Sequence, residues 1–132
     1  MNETMTIREM CDAFDVTPRT LRFYESKELL APIRQGHKRL FTRRDRARLK
    51  LILRGKRFGF SLEEIRQLLD LYDVDDTRQT QLRHAVEIGQ KHLEEMLAQQ
   101  RALEDAIADL REQLVTGRAQ IAEYDAAGKA AE

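Results

Sequence analysis

Apolar residues in the first half of the chain recur at helical spacing in four short runs, each opened by a residue able to cap a helix. Ile7, Met10, Cys11 and Phe14 fall at i, i+3, i+4 and i+7 behind Thr6, and Glu9 completes a capping box with that threonine. Thr17 followed by Pro18 is a second start, because the first helical position makes no use of the donor that proline lacks. This second helix is expected from Pro18 to about Lys27. Only Asp15, Val16 and Thr17 separate it from the first, a connection short enough to force a helix-turn-helix crossing. Leu29 and Leu30 then anchor the chain, Pro32 keeps it extended, and Gln35-Gly36 offers a tight turn between Ile33-Arg34 and Arg39-Leu40-Phe41. That pattern predicts a small β-hairpin, a wing. Thr42 with Asp45 is expected to cap a third helix weakly, since Asp is shorter than Glu; Leu49, Ile52 and Leu53 form its core face and Phe58-Gly59 ends it. Ser61 with Glu64 opens a fourth helix carrying Leu62, Ile65, Leu68, Leu69 and Tyr72, stopped by Asp73-Val74-Asp75-Asp76.

From Thr77 the pattern changes to a single heptad seam of Leu82, Val86, Gly89, Leu93, Met96, Gln100, Leu103, Ile107, Leu110, Leu114, Gly117, Ile121 and Tyr124. At ~1.5 Å per residue, a helix from Leu82 to Tyr124 extends roughly 64 Å. The small head cannot cover so long a stripe, so a second copy is expected to bury it. Leu82, Val86, Leu93, Met96, Gln100, Leu103, Ile107, Leu110 and Leu114 are the candidate dimerisation residues. Whether the two helices pair parallel or antiparallel does not follow from the spacing. Gly117 and the Ala-Ala-Gly tail suggest a bend or fraying near the end. The expected architecture is mainly α: a winged helix-turn-helix head over residues 1–76, a coiled-coil dimerisation helix over 77–127 and a flexible tail over 128–132.

Charge decides what such a head meets. The formal net charge is +0, yet residues 1–72 hold 16 Lys/Arg against 10 Asp/Glu, while residues 73–132 hold 7 against 13. The first half therefore carries a surplus of six positive charges, densest between Arg34 and Arg57, which fits a polyanion. With 42% hydrophobic and 35% charged residues, the chain suits helices with wide solvated faces rather than a large enzyme core. The longest apolar run, Leu51-Ile52-Leu53, falls far short of the ~20 residues of a membrane span, and one cysteine cannot form an intrachain disulfide, so a cytoplasmic setting is expected.

A DNA-reading helix presents polar donors from its first turns to acceptors on the major-groove floor. Thr17, Arg19, Thr20 and Arg22 supply that set around Leu21, with Tyr24 as a further phosphate or base-edge donor. Lys38 and Arg39 on the wing, and Arg54 and Lys56 near the end of the third helix, are placed to grip phosphates. Arg43, Arg44, Arg46 and Arg48 fall within six positions and are not expected to face one surface. No Walker spacing is present in Gly55-Lys56-Arg57-Phe58-Gly59 and no motif marks a catalytic triad, so no enzyme activity and no cofactor are expected. His37, His84 and His92 are scattered, and Cys11 reads as a structural thiol, so no metal site is expected.

Three stretches together resemble the MerR family of bacterial regulators: Thr17-Pro18-Arg19-Thr20-Leu21-Arg22-Phe23-Tyr24-Glu25 with Leu29-Leu30, Lys38-Arg39-Leu40-Phe41, and Gly59-Phe60-Ser61-Leu62-Glu63-Glu64-Ile65. The resemblance implies a homodimer joined by an antiparallel coiled coil. Its two heads would bind a pseudo-palindromic promoter element in double-stranded DNA and distort the spacer between the promoter boxes, so that RNA polymerase engages both. Carried over by position, it points to Thr17, Arg19, Thr20, Arg22, Tyr24, Arg39 and Lys56 as DNA contacts, while Phe23 stands where many relatives have a second tyrosine. Residues 49–61 are similar to the branch controlling leucine/isovalerate and acyl-CoA catabolism. No cysteine follows Cys11, so thiolate sensing of metals or superoxide is not implied. The reading that competes with a transcription regulator is a coiled-coil adaptor whose basic head docks on an acidic protein or membrane surface.

Overall fold

The computed structural model describes residues 3–71 and 78–131. Tyr72, the acidic break Asp73-Val74-Asp75-Asp76 and the expected boundary between residues 76 and 77 lie outside the described residues. Packing divides the chain into two units, one ending at Gly89 and one beginning at Gln90.

The first unit begins with a strand not anticipated from the sequence, β1 (Met5–Thr6), and continues into α1 (Ile7–Phe14) and α2 (Pro18–Ser26). Thr6 caps α1 through the full Thr6–Glu9 box, and Asp15 ends it at φ 54° in the left-handed region. The Thr17 hydroxyl accepts from the Thr20 N–H at 3.2 Å and caps α2 ahead of Pro18. The wing is β2 (Ile33–Gln35) and β3 (Lys38–Phe41), paired antiparallel with Arg34 opposite Arg39 and turning at Gly36, φ 60°. Strand β1 lies on the other side of β3, with Met5 opposite Phe41, giving the order β1-β3-β2. A two-residue strand is too short to show alternation, which is why the sequence did not display it.

Helices α3 (Arg43–Arg57) and α4 (Leu62–Asp70) complete the head. Their caps are both full boxes, Thr42–Asp45 and Ser61–Glu64. The expectation that Asp45 caps weakly is corrected. Asp45 is 1% exposed, its Oδ2 accepts from the Thr42 N–H (2.9 Å) and hydroxyl (3.0 Å), and its Oδ1 accepts from the Ala31 N–H at 3.0 Å. One carboxylate thus ties the chain after α2 to the start of α3, and its burial is matched by three donors. Met10, Leu21, Tyr24, Leu29, Leu30, Phe41, Leu49, Ile52, Ile65 and Leu69 form the core, with one or more residues from each of α1 to α4 and from β3. Gly55 permits the α3–α4 contact, because a Cβ there would stand 2.8 Å from Ile65 Cγ1.

Helix α5 (Arg78–Ala131) supplies the end of the first unit and the described residues of the second. In the first unit Ile88 is buried at 7% exposure and His84 Nε2 lies 2.9 Å from Gln67 Oε1 on α4. In the second unit Leu93, Met96, Leu103, Ile107, Leu110, Leu114, Ile121 and Tyr124 are all exposed. Helical backbone passes through Gly117 and Gly128 to Ala131 without a break. The long helix offsets the local propensity cost of a single glycine through the hydrogen bonds on either side.

Candidate nucleic-acid interface

The exposed face of α2 follows from the way its apolar face is held. Leu21 and Tyr24 are buried at 0% and 5% exposure, which turns Arg19 and Arg22 to solvent and leaves Thr20 half-buried. The Thr17 and Thr20 hydroxyls lie 2.9 Å apart, so both are partly committed to the cap. Tyr24 is first a core residue, and burial pushes its hydroxyl above the usual tyrosine value. Phe23 is 44% exposed, tilted against the Tyr24 ring, and carries the Lys27 ammonium 5.7 Å from its centroid.

The wing is fastened to α2 by Glu25. Its Oε1 accepts from Arg39 Nε at 2.6 Å and its Oε2 from Arg34 Nη1 at 3.1 Å. Burial alone would raise the Glu25 carboxyl, but the hydrogen bonds and charges of Arg39 and Arg34 outweigh it, and the group titrates below its ordinary value. Sequence reasoning placed Arg39 at DNA and Glu25 only within a motif; the pairing joins residues 14 apart and has no local signature. Lys38 is exposed and Arg39 half-buried beside it.

The segment after α2 is pinned on the other side. Arg48 Nε donates to the Leu29 carbonyl at 2.7 Å, Arg66 donates to the Lys27 carbonyl, and Arg46 Nη1 donates to the Glu3 carbonyl at 2.8 Å. Two of the four clustered arginines of α3 are therefore structural. Arg43, Arg44, Arg46 and Arg48 all border one cleft of about 650 Å³ with Lys50 and Arg54, yet Arg46 and Arg48 bond to different segments, Glu3 and Leu29. Arg54 and Lys56 are exposed near the C-terminal end of α3, before the turn at Phe58 and Gly59.

Cys11 is a half-buried thiol, pushed up first by burial and then by Asp12, with Arg22 pulling the other way; such a thiol is a poor nucleophile. Among the described residues, no three His, Cys, Asp or Glu side chains converge as a metal site, and no helix is long and apolar enough to cross a membrane. The structure thus brings Arg19, Arg22, Lys38 and Arg39 onto two elements clamped by a single carboxylate. The clamp fixes a helix and a β-ribbon at one relative position, which suits a groove with phosphates along its edge.

A family model described as MerR HTH family regulatory protein matches residues 5–72, and a second, described as MerR, DNA binding, matches residues 46–113. The chain is 42% identical over 67 residues to the HTH-type transcriptional regulator ZntR of Escherichia coli K12, covering 49% of this chain and 48% of the relative; it spans about half that regulator's length. It is 35% identical over 112 residues to HmrR of Rhizobium leguminosarum bv. viciae, covering 78% of this chain and 84% of that protein. Among solved structures it is similar to HiNmlR, described as a MerR family regulator lacking the sensor domain, bound to promoter DNA. The TM-score is 0.61 and the identity 28%, with 77% of this chain and 79% of that one covered.

Proposed function

This chain belongs to the MerR family of helix-turn-helix regulators, and from that premise we propose that it is a transcription regulator binding promoter DNA as a homodimer. Each α2 enters a major groove with Arg19 and Arg22 toward base edges and Thr17 and Thr20 near the backbone. Lys38 and Arg39 of the wing and Arg54 and Lys56 of α3 take flanking phosphates, which sets register without carrying sequence information. The Tyr24 hydroxyl makes a backbone contact only from the edge of a buried ring. The exposed seam of α5, with Leu93, Met96, Leu103, Ile107, Leu110 and Leu114, pairs with that of a second copy and holds two heads over a pseudo-palindromic site. Bending the spacer between promoter boxes costs about 1–6 kcal/mol, offset by contacts from both heads, and RNA polymerase profits indirectly from the realigned boxes.

The observation that carries this reading is the clamped pair of α2 and wing, each presenting exposed cations, in a chain whose relative HiNmlR is described as bound to promoter DNA. The adaptor reading needs no such fixed geometry. A gel shift against the chain's own upstream region, with excess unrelated duplex at about 0.15 M salt, is the test. Retained binding under competition supports the regulator; equal affinity for every duplex supports the adaptor.

A further inference from the structure

Glu25 lies near the C-terminal end of α2, and its two carboxylate oxygens are taken by two different strands of the wing, by Arg39 on β3 at 2.6 Å and by Arg34 on β2 at 3.1 Å. Arg34 and Arg39 are direct partners in the β2–β3 register, so two like charges sit opposite each other on one ribbon, an arrangement that repels unless an anion intervenes. Glu25 is that anion, with its side chain 20% exposed. The Arg39 contact runs through Nε, side-on, which leaves the two terminal amino groups of its guanidinium for a second acceptor.

We propose that Glu25 is a positioning residue for DNA discrimination: it holds Arg39 and Arg34 in one orientation relative to α2, so that the wing meets phosphates only where the backbone is presented in matching geometry. The proposal rests on the DNA-binding reading above. A loose guanidinium takes a phosphate from any duplex. A held one takes it only in register with the base contacts of Arg19 and Arg22. Removing the carboxylate also unmasks one positive charge, which strengthens general attraction to DNA and steepens its salt dependence. Glu25 therefore lowers binding to the wrong DNA while raising binding to the right one.

The test is fluorescence anisotropy of the full chain on its upstream duplex and on a scrambled duplex of equal length, across a salt series. Glu25→Gln keeps the shape and removes the charge. It should lower the ratio of specific to non-specific affinity about tenfold, leave non-specific affinity equal or higher, and steepen the non-specific salt slope by about one. In an Arg39→Ala background the same substitution should change the ratio by less than about twofold. A ratio unchanged in Glu25→Gln, or a fall on both duplexes in equal proportion, overturns the proposal. Should Glu25→Gln fold poorly, Arg39→Lys keeps the charge without the Nε geometry and must reproduce the loss of discrimination; an unaltered ratio there overturns it as well. The Arg39 Nε–H resonance, slow to exchange in the wild type and lost in Glu25→Gln, reads the clamp without DNA. A wild type that shows the resonance but discriminates no duplex counts against the DNA-binding reading rather than against the clamp.

Discussion

Glu28 occupies the left-handed region at φ 61°, where an L side chain costs about 1–2 kcal/mol and glycine costs nothing. Glycine's extra freedom in the unfolded chain returns about 0.4–1 kcal/mol of that. Glu28→Gly is accordingly expected to stabilise the head by about 0.5–1 kcal/mol, visible as a higher melting temperature. Glu25 gives a pH dependence of definite sign. Its folded carboxyl lies below the ordinary 4.5, so its contribution is complete above that value and is lost as pH falls through the lowered one. The melting difference between wild type and Glu25→Gln should be constant near neutrality and vanish in strong acid; a difference that grows on acidification contradicts the pairing. Arg22→Ala should cost about 1–3 kcal/mol of specific binding if its contact is bidentate to a base, with the melt unchanged, as competition gel shifts would show.

At the scale of elements, the close approach of α3 and α4 at Gly55 is the sharpest constraint in the head. Alanine gains about 1 kcal/mol of helix propensity, but its Cβ would stand 2.8 Å from Ile65 Cγ1 and 3.2 Å from Cδ1, and overpacking of that kind costs about 1–3 kcal/mol. Gly55→Ala should lower stability by up to about 2 kcal/mol in denaturant titration; a stabilised variant would mean that Ile65 yields freely. Local signals were legible in the sequence because their partners lie three or four residues away. The Thr6–Glu9 and Ser61–Glu64 boxes, the Thr17-Pro18 start, the three-residue turn before α2 and the wing turn at Gly36 all belong to that class. Contacts between distant segments were not legible. Strand β1 exists because Met5 and Thr6 meet β3, Asp45 is buried because Ala31 offers a donor, and Glu25 faces Arg39 across 14 positions. The candidate site was read one residue at a time, so Arg39 was expected at DNA while the Glu25 carboxylate that holds it was not anticipated.

For the whole molecule, the proposed homodimer rests on the seam of α5. Leu103, Leu110 and Ile121 are each at least 60% exposed in the single chain, an apolar stripe that a second helix can cover. Leu103→Asp places a charge in that stripe and should dissociate the dimer, read as a halved mass in sedimentation; an intact dimer would mean the frame is wrong. The opposite charges of the two halves, a surplus of six cations over residues 1–72 and of six acids over residues 73–132, fit the proposed division between a head that meets DNA and a helix that pairs. The most direct test of the account is the mass of the complex formed on the chain's upstream duplex, measured by size-exclusion chromatography with light scattering in excess unrelated DNA. Two chains on one duplex is the predicted result; a single chain per duplex, or no complex that survives the competitor, would contradict it.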